Sequence, residues 1–206
     1  PPPDRRAERE SRRHRGPDQT ERVTRRIKLG HNGWLSLSNV AGDIVVTTGA
    51  GDELVIDALK HAPERSELAD VRVDIDERPG RVEVTTTSAQ RRSRGWVSYT
   101  ITLPADAGAE LHSVSGDVTV TGVQGALRVE TVSGDVSLTR TSKLERARSV
   151  SGDITLTEAG SDGTVSAASI SGSVRARGLK ARALEVNSVS GDVSLAGTSC
   201  ERLTAK

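Results

Sequence analysis

Ser113-Val114-Ser115-Gly116-Asp117-Val118 decides the reading of this chain, because close copies of it follow one another toward the C-terminal end. The copies are Val132-Ser133-Gly134-Asp135-Val136, Val150-Ser151-Gly152-Asp153-Ile154, Ile170-Ser171-Gly172-Ser173-Val174 and Val189-Ser190-Gly191-Asp192-Val193. Their glycines lie 18, 18, 20 and 19 residues apart. A looser copy, Asn39-Val40-Ala41-Gly42-Asp43-Ile44, sits far upstream. A near-constant period of this size marks a repeat architecture in which each repeat is one coil.

Laying the repeats on one another gives four columns. Before the corner run Ala109, Leu127, Glu145, Val165 and Leu184, and two residues on run Leu111, Val129, Ala147, Ala167 and Val186. After it run Val118, Val136, Ile154, Val174 and Val193, then Val120, Leu138, Leu156, Ala176 and Leu195. A spacing of two is the strand period, so these side chains are expected to face inward. Glu145 is the polar exception and reads as a coil edge that admits water. Each coil is then strand, corner, strand and return turn, and five coils stacked about 4.8 Å apart make a rod segment on the order of 24 Å. The motif's valines are assigned to core columns. Gly42, Gly116, Gly134, Gly152, Gly172 and Gly191 are expected at corners that need φ > 0. Asp43, Asp117, Asp135, Asp153 and Asp192 are expected to bond nearby backbone amides as Asx turns.

Composition agrees with thin layers. Phe and Met are absent from the 206 residues, and Trp34, Trp96 and Tyr99 are the only aromatic side chains other than histidine. Large rings normally fill a thick core; here Val, Leu, Ile and Ala must build a two-layer interior. The net charge is +1, but residues 1–26 hold nine arginines against five acids, an excess of +4 that leaves −3 for the rest. Cys200 stands alone, which rules out an intramolecular disulfide or a cysteine metal cluster. No apolar run is long enough to span a membrane as a helix. A chain without any Met points to trimming, with room for an export signal or anchor upstream of Pro1.

In order, residues 1–21 read as a disordered Pro/Arg-rich tail. Asp4, Glu8, Glu10 and Asp18 dilute Arg5, Arg6, Arg9, Arg12, Arg13 and Arg15, so a linker is expected there and no nucleic-acid partner. Residues 22–206 read as one domain: 22–108 holds a first coil (Leu35 to Asp43) and irregular strands, and 109–206 the regular repeats. Leu54–Ala58 is a strand, and Val71–Asp76 with Arg81–Val84 is a hairpin around Pro79-Gly80. Gln90–Gly95 is a basic loop, and Trp96–Leu103 is a strand stopped by Pro104. The segment 53–104 either caps the stack or lengthens its coils.

Candidate chemistry is sparse. A hard cation bridging the aspartate column is the competing reading of those residues. The turn reading is preferred because Ser173 breaks the column. Thr119, Thr121, Ser137, Thr139, Thr155 and Thr157 make an outward hydroxyl ladder suited to solvent or sugar. Arg175, Arg177, Lys180 and Arg182 form a basic patch, a candidate surface contact for an acidic glycan. His14, His31, His61 and His112 have no helper pattern, and no phosphate loop, zinc spacing or nucleophile elbow occurs. Coils of 18–20 residues leave no long loops to wall a catalytic cleft. No catalytic residue, metal ligand or cofactor is assigned.

The repeated Val-Ser-Gly-Asp-Val, the upstream Leu35-Ser36-Leu37-Ser38-Asn39-Val40-Ala41-Gly42-Asp43-Ile44, and Tyr99-Thr100-Ile101-Thr102-Leu103-Pro104 resemble the bacterial "putative adhesin" family of β-strand-repeat proteins, some akin to the LiaG envelope protein. The resemblance covers about residues 22–206. It implies an all-β, single-domain β-solenoid with coils of 18–20 residues and an irregular N-terminal half. It further implies export or association with the envelope, and no catalytic residues. The expected function is a non-enzymatic structural or adhesive role in the periplasm, envelope or exterior, toward a cell-surface glycan or envelope protein. The alternative is a scaffold that polymerises end to end, as bactofilin-like solenoids do, through the terminal rung after Leu195. A polysaccharide-binding or -processing protein is the third reading.

Overall fold

The computed structural model describes residues 19–88 and 94–205. Most of the expected tail (1–18) and most of the basic loop (90–93) lie outside the described residues. The tail boundary moves: Gln19, Thr20 and Glu21, assigned to it above, open strand β1 (Gln19–Lys28).

The first coil supplies β2 (Trp34–Ala41) and β3 (Ile44–Gly49), and the irregular segment supplies β4 (Glu53–Ala62), the short helix α1 (Arg65–Asp70), β5 (Val71–Arg78), β6 (Arg81–Ser88) and β7 (Trp96–Pro104). Regular repeats follow. Each gives one long and one four-residue strand: β8 (Gly108–Ser115) and β9 (Val118–Thr121), β10 (Ala126–Ser133) and β11 (Val136–Thr139), β12 (Lys143–Ser151) and β13 (Ile154–Thr157). Then come β14 (Gly160–Ser171) and β15 (Val174–Arg177), β16 (Lys180–Ser190) and β17 (Val193–Ala196), and β18 (Ser199–Ala205).

The described residues are all-β apart from α1, in two nine-stranded sheets that do not close on themselves. One runs β1-β4-β7-β3-β9-β11-β13-β15-β17 and the other β18-β16-β14-β12-β10-β8-β2-β6-β5. The repeat strands pair parallel and in register, Val118 with Val136, Val136 with Ile154, Ile154 with Val174 and Val174 with Val193. The first coil stacks directly on the second, Leu37 beside Leu111 and Ile44 beside Val118. The residues between them in sequence fold to the other side of β2 and β3. There β6 runs parallel to β2, β7 runs parallel to β3, and the antiparallel β1, β4 and β5 make both sheets mixed. Helix α1 packs against β1, β4 and β5, and its Leu68 is buried. Segment 53–104 therefore does not lengthen the coils: β6 and β7 add one more parallel rung beside the first coil, and the antiparallel β4 and β5 cap it.

Three of the four columns are buried as expected in the inner repeats, from Leu111 to Val186, Val118 to Val174 and Val120 to Ala176. The first needs a correction. Between β10 and β12 the register slips after Leu127, which pairs with Leu144 while Arg128 pairs with Arg146. The bulge puts Leu144 in the core, fully buried, and sends Glu145 to solvent, 2.7 Å from Arg128 Nε. No wet coil edge exists there. In the last rung Val193 and Leu195 are only half-buried.

Tyr99 is the one ring deep in the core, 1% exposed, with its hydroxyl 2.6 Å from Thr86 Oγ1. Burial pushes its pKa up to about 12. A raised folded-state value means the protein keeps its full stability below the unfolded tyrosine value near 10, and loses this contribution as pH rises through about 12. Because it is the only tyrosine, tyrosinate absorbance reads it alone. We expect no ionisation of the native protein near pH 10, and a midpoint there would contradict the burial.

Candidate interaction surface

The corner is built from four parallel columns. The innermost is polar. Asn39, Ser113, Thr131, Ser149 and Ser169 stand in register and are each at least 95% buried, with Ser188 half-buried behind them. Ser149, Ser169 and Ser188 donate their hydroxyls to the carbonyls of Gly134, Gly152 and Gly172, one coil back, at 3.3, 3.0 and 3.0 Å. Asn39 Nδ2 donates to the carbonyls of Ala41, Gly42 and Val97 at 3.1, 2.9 and 2.9 Å. In the later coils the hydroxyl is tolerated inside because it meets a corner carbonyl, whereas Ser113 Oγ and Thr131 Oγ1 are buried without a hydrogen-bond partner.

The second column is glycine, and its reason is close approach more than φ. A Cβ on Gly116, Gly134, Gly152, Gly172 or Gly191 would strike the carbonyl oxygen of the preceding corner glycine. Gly42, Gly116, Gly134 and Gly152 do have positive φ, but Gly172 and Gly191 do not. The φ > 0 expectation is corrected for those two.

The third column is aspartate, and its bonds differ from the expected Asx turns. Asp43 Oδ1 accepts from the Asp117 amide at 3.0 Å, and Asp117, Asp135 and Asp153 accept from the next coil's amide at 2.8 Å each. Each carboxylate ties one coil to the next. These charge-assisted bonds offset the repulsion between neighbouring carboxylates. The ladder ends at Ser173, which has no carboxylate to pass on.

The fourth column was missed in the sequence. Val40, Val114, Val132, Val150, Ile170 and Val189 point to solvent, 38–78% exposed. Assigning every motif valine to the core is therefore wrong for the one between the serines. The signal was present: alternation from Leu111 puts Ser113 inside and Val114 outside. The valine after the aspartate is the buried one.

The basic patch divides between sheets. Arg175 and Arg177 face outward from β15, and Arg175 holds Asp153 Oδ2 at 2.5 Å. Lys180 and Arg182 lie past the return turn on β16, beside a shallow depression of about 970 Å³ that Ser199 and Glu201 also line. The hydroxyl ladder is in place, with Thr119, Ser137 and Thr155 aligned and Arg175 in the next rung. Arg175 and the Ser173 amide hold the Asp153 carboxyl below the ordinary carboxylate range. A lowered folded-state value gives stability that is present above the ordinary value and lost as pH falls through the lowered one. In Arg175→Ser the Asp153 titration, followed by NMR, should move back up toward the ordinary value. An unchanged midpoint would contradict the pairing.

The histidines serve structure or surface contacts. His61 stacks on Trp96 with ring centroids 5.0 Å apart. His31 Nδ1 meets Asp106 at 3.0 Å, and His112 sits 3.6 Å from Glu110 and 3.7 Å from Glu130. Among the described residues no three His, Cys, Asp or Glu side chains converge as a metal site, and no helix is long and apolar enough to cross a membrane.

Fold and corner together define a class of all-β repeat proteins with two open mixed sheets and corners stitched from coil to coil. Residues 26–201 match the Toastrack family, DUF4097, and the chain belongs to it. No curated protein matches. Among solved structures the chain is similar to a putative cell adhesion protein from Clostridium sporogenes, at 10% identity and TM-score 0.46, covering 91% of this chain and all of that one. It is similar to a putative adhesin from Bacteroides fragilis at 16% identity and TM-score 0.47, covering 90% and 96% of the two chains. A putative lipid binding protein from Parabacteroides distasonis is similar at 11% identity and TM-score 0.40, covering 89% and 97%.

Proposed function

We propose that this protein is a non-enzymatic β-solenoid module of the bacterial cell envelope or exterior, with a structural or adhesive role. The observation that carries the reading is the in-register parallel stacking of the repeats. It builds two long faces whose outward residues recur at each rung and whose connections are short turns. Such faces suit a periodic or extended partner such as a surface glycan. The test is binding of the purified protein to a panel of cell-surface glycans and to intact bacteria. Saturable binding is expected, weakened in the Arg175→Ser/Arg177→Ser variant. Unchanged binding in the variant removes the patch from the account, and no binding to either probe overturns the adhesive role.

A second reading, end-to-end self-assembly, is favoured by the edge strands β17 and β18, where Leu203 is 50% exposed beside half-buried Val193 and Leu195. At the opposite end α1 and the charged β1 stand against a simple head-to-tail addition. A sedimentation series decides, since a strict monomer at high concentration would exclude assembly.

A further inference from the structure

The exposed aliphatic column is not needed to make the fold. Its positions face water in a sheet where Thr and Ser are equally good strand residues, and the opposite sheet uses Thr119, Ser137 and Thr155 at its own outward rungs. Yet Val40, Val114, Val132, Val150, Ile170 and Val189 stack without interruption. Together they expose roughly 500 Å² of apolar surface, within the range of the largest patch a monomer leaves open and a size that often marks a site. Their inner flank is a groove of about 400 Å³, where Ser38, Thr86, Glu130 and Arg148 join the valines.

Three residues further along each coil stands the aspartate ladder. Asp43, Asp117, Asp135 and Asp192 are exposed, and among the described residues Asp153 alone of the column has a cation in ion-pair contact, Arg175. Glu130 and Arg148 on the inner flank leave that side mixed, so the ridge as a whole is apolar along its crest and acidic along one side.

We propose that this ridge docks a basic amphipathic helix lying along the stacking axis, with its apolar face on the valines and its cations over the aspartates. Size and charge both select this occupant. Five rung steps of about 4.8 Å span about 24 Å, the length of a helix of about 16 residues, whose 5.4 Å turn is close to the rung spacing. A second copy of the chain would need about 800 Å² per partner for a stable pair, more than the patch offers. An anionic membrane surface would be repelled by the ladder. This inference goes beyond the adhesive role and does not depend on glycan binding.

The probe is a synthetic 18-residue Leu/Lys helical peptide, titrated against the full chain by fluorescence anisotropy. A Leu/Glu peptide of the same apolar pattern and phosphatidylglycerol vesicles serve as comparisons. The Leu/Lys peptide should bind at least tenfold tighter than the Leu/Glu peptide, and the vesicles should not bind. Val132→Ser/Val150→Ser, both at exposed positions that leave the core intact, should weaken the Leu/Lys peptide at least tenfold. Asp117→Asn/Asp135→Asn keeps the Oδ1 acceptors and should weaken it severalfold while flattening its salt dependence. Glu185→Gln, on the same sheet away from the ridge, should change nothing. Equal binding of the two peptides, affinity indifferent to the serine pair, or tight vesicle binding would each overturn the proposal.

Discussion

Val136→Asp is expected to abolish cooperative folding, a loss above about 4 kcal/mol, whereas Val132→Asp should change stability by no more than about 1 kcal/mol. The two valines are four residues apart in one repeat. Val136 is fully buried on β11, paired with Val118 on one side and Ile154 on the other. A carboxylate there has no partner and no water, and protonating it still leaves polar oxygens unpaired. Val132 is 49% exposed, so its carboxylate stays hydrated. Denaturant unfolding of the two variants measures the difference. Equal losses would mean that the assignment of faces around the corner is wrong.

Gly172→Ala should be nearly as damaging, with a loss of about 3 kcal/mol or more. Gly172 has no positive φ, so the loss cannot come from conformational preference. It comes from the new Cβ pressing on the Gly152 carbonyl, which is backbone locked in the stack and cannot swing aside. Gly163→Ala is the matched control. It too lacks positive φ, and its nearest neighbour, Ser161 Oγ, lies at an ordinary 3.8 Å. That variant should be within about 0.5 kcal/mol of the parent. If thermal unfolding places the two variants together, the corner glycines are not there for close approach.

The sequence carried the fold class and the stack because the repeat period and the strand period point to the same inward residues. From Val118 to Val174 and from Val120 to Ala176 every assigned residue is buried. Five features escaped. Glu145 was counted in the first inward column, as its polar exception, because counting assumes an even register, and the slip after Leu127 that puts Leu144 there can only be seen once strands pair. Val114 and its equivalents were placed inside because they are apolar, although alternation from Leu111 places them outside; here hydrophobicity and periodicity disagree, and periodicity is right. The inward column of Ser113, Thr131, Ser149 and Ser169 escaped for the same reason: these residues are polar, yet alternation places them inside, where they are buried. Asp117, Asp135 and Asp153 were read as local turn residues, but their acceptors serve the next coil. Bonds between residues 18 to 20 positions apart in sequence are invisible until the coils are superposed. The cap was legible as strands, while α1 was not, because a six-residue helix held by one buried leucine leaves almost no periodic trace.

All of these statements depend on successive repeats standing in parallel register. Pulsed electron resonance between spin labels at Thr119→Cys and Ser194→Cys, in a Cys200→Ser background, tests that most directly. The two positions are joined through the register by way of Ser137, Thr155 and Arg175, four rung steps in all. At about 4.8 Å per step the backbones should lie about 19 Å apart. A single narrow distribution near that value, broadened only by the labels, is the predicted result. A broad distribution, or one centred well beyond 30 Å, would contradict the stack and with it the aliphatic ridge and the aspartate ladder.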